Sequence, residues 1–381
     1  MTKPGAATTF GTDTIAVRAG RDHLSGAGVA ASIELTTTFV LPGDPEGHFS
    51  YARTDSPAYQ PLESALAALE GGEDAVIFSA GSAAAIAVMR ECPPGSTLVM
   101  TVDAYYGLRA WALEEFPLLG VEVRQVDLHD AAALDRSLEG AALLWTESPT
   151  NPYLGILDLA NVANIAAARG VPWVCDNTFA TPILQHPLHF GATASVHSVT
   201  KYIGGHSDLI MGVAICSSSN LANRLRARRA KSGTQPDGFS CWLARRGLQT
   251  LPVRVRHQSA TALTLAKRLK EHPMVERVWY PGLISHPGHE VAARQMRGGF
   301  GGMLSILVAG GQPAAQAVVD SCRVWIAATS LGGVESLVER RDRWKGESAD
   351  PALLRLSVGL EDLEDLWRDL DEALSASAGD R

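Results

Sequence analysis

A lysine that is to act as a nucleophile must be kept partly out of water, because desolvation lowers its ammonium pKa and frees the amine. Lys201 meets that condition in SVHSVTKYIGGHSD (195–208), where it ends an apolar run and precedes Gly204 and Gly205. Ser198 and Thr200 bring two hydroxyls to the same turn, placed to bind a phosphate. A lysine in a Ser/Thr-rich turn is ordinarily a solvated surface residue, so the reading needs partners. DNTF (176–179) follows the apolar run VPWVC, and an acidic side chain such as Asp176 at a strand's carboxyl end can keep a pyridine nitrogen protonated. Taken alone, Asp176 is equally a turn cap. FSAGSAAAIAVM (78–89) ends a strand and opens an Ala-rich helix, which leaves free amides near Gly81 and Ser82 for an anion. Tyr106 in DAYYGLRAW offers an aromatic face, and Asn151 in ESPTNP an amide.

The elements that must position these residues follow from periodicity. AVIFSA, STLVMTVD, VEVRQVD, AALLWTESP, VPWVCDN, ASVHSVTKY and LIMGVAICS are short, β-rich and nearly all apolar, as strands buried on both faces are. PLESALAALEGG, GSAAAIAVMREC and LANVANIAAARG alternate with them as helices, which predicts a large α/β domain over 51–246. All the candidate loops follow predicted strands, where ligands bind in open α/β sheets. A long helical stretch (RHQSATALTLAKRLKEH), FGGMLSILVAG, LLRLSVGLED and a closing amphipathic helix predict a smaller α+β domain over 247–381. Residues 1–50 read as an extended arm ordered by a neighbouring subunit.

Composition removes several classes. The 381 residues are 46% hydrophobic, enough for more than one core, and the net charge of -8 has no basic stripe for nucleic acid or anionic membranes. Five scattered cysteines without CxxC pairing, and no signal-like or membrane-spanning run, fit a cytoplasmic protein. No GxGxxG follows an early strand, which disfavours an NAD-dependent oxidoreductase. HPGH (286–289) lies in a Pro/Gly loop with no third ligand, so no metal is assigned, and His206 reads as structural.

Together the segments resemble the cystathionine γ-lyase and γ-synthase family, the Cys/Met-metabolism branch of fold-type I pyridoxal-phosphate enzymes. SVTKYIGGHSD resembles its Schiff-base motif, and SLGGVESL (330–337) and RLSVGLED (355–362) resemble two further motifs. The resemblance implies a mainly parallel seven-stranded sheet domain and a smaller C-terminal domain. It implies that Lys201 carries pyridoxal 5'-phosphate and shuttles protons, that Asp176 pairs with the ring nitrogen, and that Tyr106 stacks on the ring. Gly81, Ser82, Ser198 and Thr200 would hold the phosphate, and Asn151 the ring oxygen. Tyr51 and Arg53 of YARTDSPAY would serve the neighbouring subunit's phosphate site, which implies a homo-oligomer, a tetramer built of dimers. Arg355 would take the substrate carboxylate with the backbone at Ser330 and Leu331 and with Asn151.

Departures from the family pattern bear on the substrate. Ser56 and Ala58 replace the usual Asn and Thr, and Ser50 stands where cystathionine-handling members carry an acid. Trp111 falls near an arginine of the animal lyases, with Arg109 as the other candidate. Glu335 matches an acidic residue associated with γ-chemistry. ERRDRWKGESADP (339–351) replaces a Met-Thr-His run, and Arg340, Arg341 and Arg343 are candidate carboxylate contacts there. That segment and YYGLRA resemble bacterial cystathionine γ-lyases, while Leu108 replaces the cysteine of methionine γ-lyases. The resemblance therefore implies γ-elimination from cystathionine, with γ-synthase, O-acylhomoserine sulfhydrylase and methionine γ-lyase as alternatives. A catalytically dead relative is disfavoured by the intact Lys201, Asp176 and Arg355.

Overall fold

A strand covered on both faces has no water-facing side, so its sequence is an unbroken apolar run. In the computed structural model of the chain, which describes residues 10–21, 24–43, 49–344 and 346–377, all seven such runs are strands of one sheet. They are β1 (Asp74–Phe78), β2 (Thr97–Thr101), β3 (Glu122–Val126), β4 (Leu143–Glu147), β5 (Trp173–Asp176), β6 (Ala194–Ser198) and β7 (Gly212–Cys216). The order is β1-β7-β6-β5-β4-β2-β3; β7 runs antiparallel to β1 and β6, and the other pairs are parallel. Every residue of β2, β4 and β7 is buried, whereas β3, at the edge, reads EVRQV and is only partly covered. Crossover helices cover both faces. Helix Leu159–Arg169 shows why they start and stop: Asp158 accepts the Asn161 N–H at 3.1 Å, and Gly170 ends the helix with φ 66°.

The second sheet comprises β8 (Val275–Trp279), β9 (Met303–Val308), β10 (Ile326–Ala327), β11 (Leu337–Arg340) and β12 (Leu353–Ser357), in the order β10-β11-β12-β9-β8. Helix Leu251–Lys270 serves two cores. Its Leu251 and Val255 pack with the large sheet's Val213 and Ile215, and its Leu265, Ala266 and Leu269 with Leu304, Ile306 and Leu354 of the small one. Helix Leu363–Ala376 lays Leu366, Leu370 and Leu374 on that second core. The same helix presents Asp369, 4% exposed, whose carboxylate accepts the N–H groups of Arg323 (2.9 Å), Val324 (2.8 Å) and Trp325 (3.1 Å). Asp369→Ala strands three backbone donors, one of them on the buried Trp325, so denaturant unfolding should register a loss of about 2 kcal/mol; a loss below about 0.5 would show that the donors find other partners.

The arm differs from expectation. Thr12–Arg18 is a helix that packs on helices Gln60–Glu70 and Leu251–Lys270 and buries Ala16, and Asp13 pairs with Arg256 at 2.6 and 2.7 Å. Its apolar periodicity spans only two turns, so tertiary packing rather than local pattern decides the element. Beyond it, Leu24, Val29, Leu35 and Val40 are 69–94% exposed. Among the described residues, no helix is long and apolar enough to cross a membrane.

Candidate active site

Lys201 sits in the turn after β6. Its backbone N–H donates to Ser198 O (3.1 Å), and its carbonyl accepts from Gly205 (2.8 Å). Gly205 has φ +73°, and a Cβ there would lie 2.1 Å from the Arg254 guanidinium, so the turn closes only with glycine. Arg254, buried on the long helix, holds this turn by donating to the carbonyls of Tyr202 (2.7 Å), Ile203 (3.4 Å) and Gly247 (2.8 Å). The Lys201 Nζ donates to Ser330 Oγ at 2.7 Å. Burial, then the charge of Arg355, lowers its pKa to about 8, so far more of the amine is neutral near physiological pH than for a solvated lysine. Loading of the apoprotein with pyridoxal phosphate, followed by absorbance, should therefore quicken with rising pH around a midpoint near 8. Arg355→Leu should move that midpoint upward by removing a neighbouring cation. A midpoint that stays above 10 in the wild type would contradict this environment.

Asp176 ends β5, beside Glu147 at the end of β4; the two are register partners. Thr178 donates its N–H to Asp176 Oδ1 (3.0 Å), while its own hydroxyl accepts the Ser198 N–H (2.9 Å). One short loop thus ties the acid to the lysine's turn. Glu147 accepts the Tyr105 N–H at 2.8 Å and so fixes the loop that presents Tyr106. Burial, then the Asp176 charge, pushes the Glu147 carboxyl well above its usual range; burial also raises Asp176, against the opposing Thr178 donors. The stronger push toward the neutral form falls on Glu147, while the Thr178 donors favour the charged form of Asp176. Glu147 and Thr178 lie in the segments ESPTNP and DNTF without having been singled out there, and Arg254 had no motif to mark it.

The amide end of helix Gly81–Met89 faces this turn. A Cβ on Gly81 would come within 2.8 Å of Ser198 Cβ, and one on Gly212 within 2.3 Å of the Ala80 carbonyl. These close approaches, which need glycine, bring the helix's first amides and the hydroxyls of Ser82 and Ser198 to one place, a set of donors suited to an anion. The Thr200 hydroxyl is more engaged than its sequence suggested, since it donates to Met211 O (3.2 Å) and accepts Met211 N–H (3.0 Å). Tyr105 and Tyr106 meet edge to face at 5.1 Å.

Arg355, on β12, is buried and donates to Asn151 Oδ1 (2.9 Å), Ser330 O (2.9 Å) and Glu339 Oε2 (2.7 Å). Ser330 therefore receives the lysine through its hydroxyl and the arginine through its carbonyl, and it does so at φ 85°. Left-handed backbone at a non-glycine residue is held only where the surroundings over-determine it. Leu331 beside it is buried. Glu335 accepts from Ser207 and lines a cavity of about 540 Å³ with Thr200 and Ser330. Of the arginine-rich segment, Arg340 pairs with Asp342 (2.9 Å) and Arg341 with Glu339 (2.7 Å) and Glu347. Arg343 reaches Glu339 at 3.1 Å from a 42% exposed side chain. Trp111 packs on Phe116 (5.1 Å) in the core, while Arg109 points to Gly346 O (3.4 Å). Tyr51 and Arg53 line a separate groove with Glu34 and Gln235, and the bridge Thr38–Tyr51 ties them to the arm. His206 bonds its own turn at Gly204 O (2.9 Å).

A desolvated lysine, a buried acid and an anion cradle at the carboxyl ends of a mainly parallel sheet define a pyridoxal-phosphate enzyme of fold type I. The chain belongs to the Cys/Met metabolism PLP-dependent enzyme family, whose model matches residues 13–375. It is 41% identical over 377 residues to the cystathionine γ-synthase of Mycobacterium tuberculosis, covering 96% of this chain and 97% of that one. It is 37% identical over 379 residues to the cystathionine γ-lyase of Dictyostelium discoideum, with the same two coverages. The structure superposes on cystathionine γ-synthase from Xanthomonas oryzae pv. oryzae in complex with aminoacrylate and cysteine with a TM-score of 0.92 at 39% identity. That match covers 97% of this chain and 99% of the other.

Proposed function

We propose that the protein is a cystathionine γ-lyase that converts cystathionine and water to cysteine, 2-oxobutanoate and ammonia. The observation that carries an α-amino-acid substrate is Ser330. It links the base, Lys201 Nζ, to the guanidinium of Arg355 through one residue, so a carboxylate on Arg355 presents its α-carbon to the amine. Asp176 would pair with the ring nitrogen and Tyr106 would stack on the ring; Gly81, Ser82 and Ser198 would hold the phosphate, with Thr200 if its hydroxyl turns from Met211, and Asn151 the ring oxygen. When bound, the cofactor supplies a sink for the electron pair that each departing proton leaves behind. Lys201 Nζ would take the α-proton, hand it on within the site and, neutral again, take a β-proton. The Tyr106 phenol would protonate the departing sulfur.

Elimination rather than substitution is favoured by the arginine-rich segment and YYGLRA, which resemble those of bacterial lyases. Cystathionine supplied alone, with 2-oxobutanoate assayed, tests this. No product, together with turnover of an acylated homoserine plus cysteine, would make the protein a γ-synthase or sulfhydrylase, the reading favoured by the names of the M. tuberculosis and Xanthomonas relatives. Borohydride should fix the cofactor on the peptide that contains Lys201.

The exposed apolar arm and the distance of Tyr51 and Arg53 from the site favour active sites shared within a dimer, with two dimers forming a tetramer. Arg53→Ala and Lys201→Ala chains, each inactive alone, should regain about a quarter of wild-type turnover when refolded together, because half the dimers carry one intact site. No recovery would assign Arg53 to its own chain.

A further inference from the structure

Glu339 lies on β11 directly opposite Arg355 on β12, in antiparallel register. A carboxylate is an acceptor only, and this one, 2% exposed, meets donors alone. Oε2 accepts from Arg355 (2.7 Å) and Arg341 (2.7 Å); Oε1 accepts from Trp344 Nε1 (2.7 Å) and Arg343 (3.1 Å). Burial opposes the charge, yet the flanking guanidiniums of Arg355 and Arg341 hold the Glu339 carboxyl below its usual range. Each oxygen therefore binds two N–H groups, and all four come from residues that face the substrate side or the segment next to it.

The charges around Glu339 are matched for one further anion. Among the described residues, Arg355, Arg341 and Arg343 face Glu339 and Glu347, so three guanidiniums meet two carboxylates and one guanidinium charge is left over. Arg340 and Asp342 pair separately. Three of the five N–H groups of Arg355 are spent, one of Nη1 on Asn151 and both of Nη2 on Ser330 and Glu339, which leaves the second Nη1 hydrogen and the Nε–H as single donors to an incoming carboxylate.

We propose that Glu339 is a positioning residue that locks Arg355 in the orientation needed to receive a substrate α-carboxylate, and so makes the site selective for amino acids over plain amines. The proposal rests on the assignment of Arg355 given above. Glutamine cannot replace Glu339, because its amide would set an NH₂ against two N–H donors. Aspartate keeps the four acceptor positions and loses only reach.

Two probes of equal chain length separate positioning from general damage. L-norvaline carries the α-carboxylate and no leaving group, and n-butylamine is the same molecule without the carboxylate. Binding of each to the holoenzyme is read from the shift in the cofactor's absorbance. Glu339→Gln should weaken norvaline by about 10- to 100-fold, leave butylamine unchanged, and be partly rescued in Glu339→Asp. Equal weakening of both probes by Glu339→Gln, or of neither, overturns the proposal. Arg355→Lys keeps the charge but loses the planar fork, and separates the underlying assignment. If it leaves norvaline binding intact, the role of Arg355 falls and the proposal with it. If it alone weakens norvaline, Arg355 stands and Glu339 is excluded.

Discussion

Lys201→Ala should abolish turnover, by at least about 10⁴-fold, and remove the borohydride-fixed label from its peptide, because one amine is both the point of attachment and the proton carrier. Lys201→Arg is the sharper variant. It keeps a cation near Ser330 Oγ, where the Nζ lies at 2.7 Å, but supplies no neutral amine, so it should be as inactive as the alanine. A small primary amine added to Lys201→Ala should restore part of the proton transfer in the space vacated. Turnover in either variant near that of the wild type would remove Lys201 from the chemistry altogether.

Asp176→Asn should lower kcat by about 10²- to 10³-fold while the cofactor still binds, since its anchors at Gly81, Ser82 and Ser198 remain. The neighbouring substitution is the control. Burial and the Asp176 charge both act against ionisation of Glu147, so Glu147→Gln should preserve its acceptance of the Tyr105 N–H and leave turnover near wild type. Steady-state rates on cystathionine, with cofactor content measured in parallel, check both. A reversed order of severity would exchange the roles of the two acids.

The contrast between these acids explains what the sequence revealed. Asp176 and Lys201 end apolar runs, and a polar residue at the carboxyl end of a buried strand is visible in one dimension; so were all seven strands of the large sheet. Glu147 also ends such a run, yet its protonation depends on Asp176, which lies beside it only once β4 and β5 pair. Glu339 is further removed from local pattern. In VERRDRW it reads as one charge among many, and its meaning comes from a cross-strand partner in β12. Arg254 likewise appears as a charge on an amphipathic helix, although it is buried against carbonyls of the lysine's turn. The helix Thr12–Arg18 was hidden for a different reason, because two turns carry too little periodicity and the stabilising contacts are all distant.

The long helix Leu251–Lys270 inserts one end into each of two cores, and its Arg254 grips the turn that carries Lys201, whereas Arg355 belongs to the sheet packed on the other end. The anchoring amine and the guanidinium that greets the substrate are therefore mounted on opposite arms of a single stiff spar. Cutting the chain within that helix would part Leu251 and Val255 from Leu265, Ala266 and Leu269, and in the intact chain heat should melt both halves of the catalytic centre in one transition.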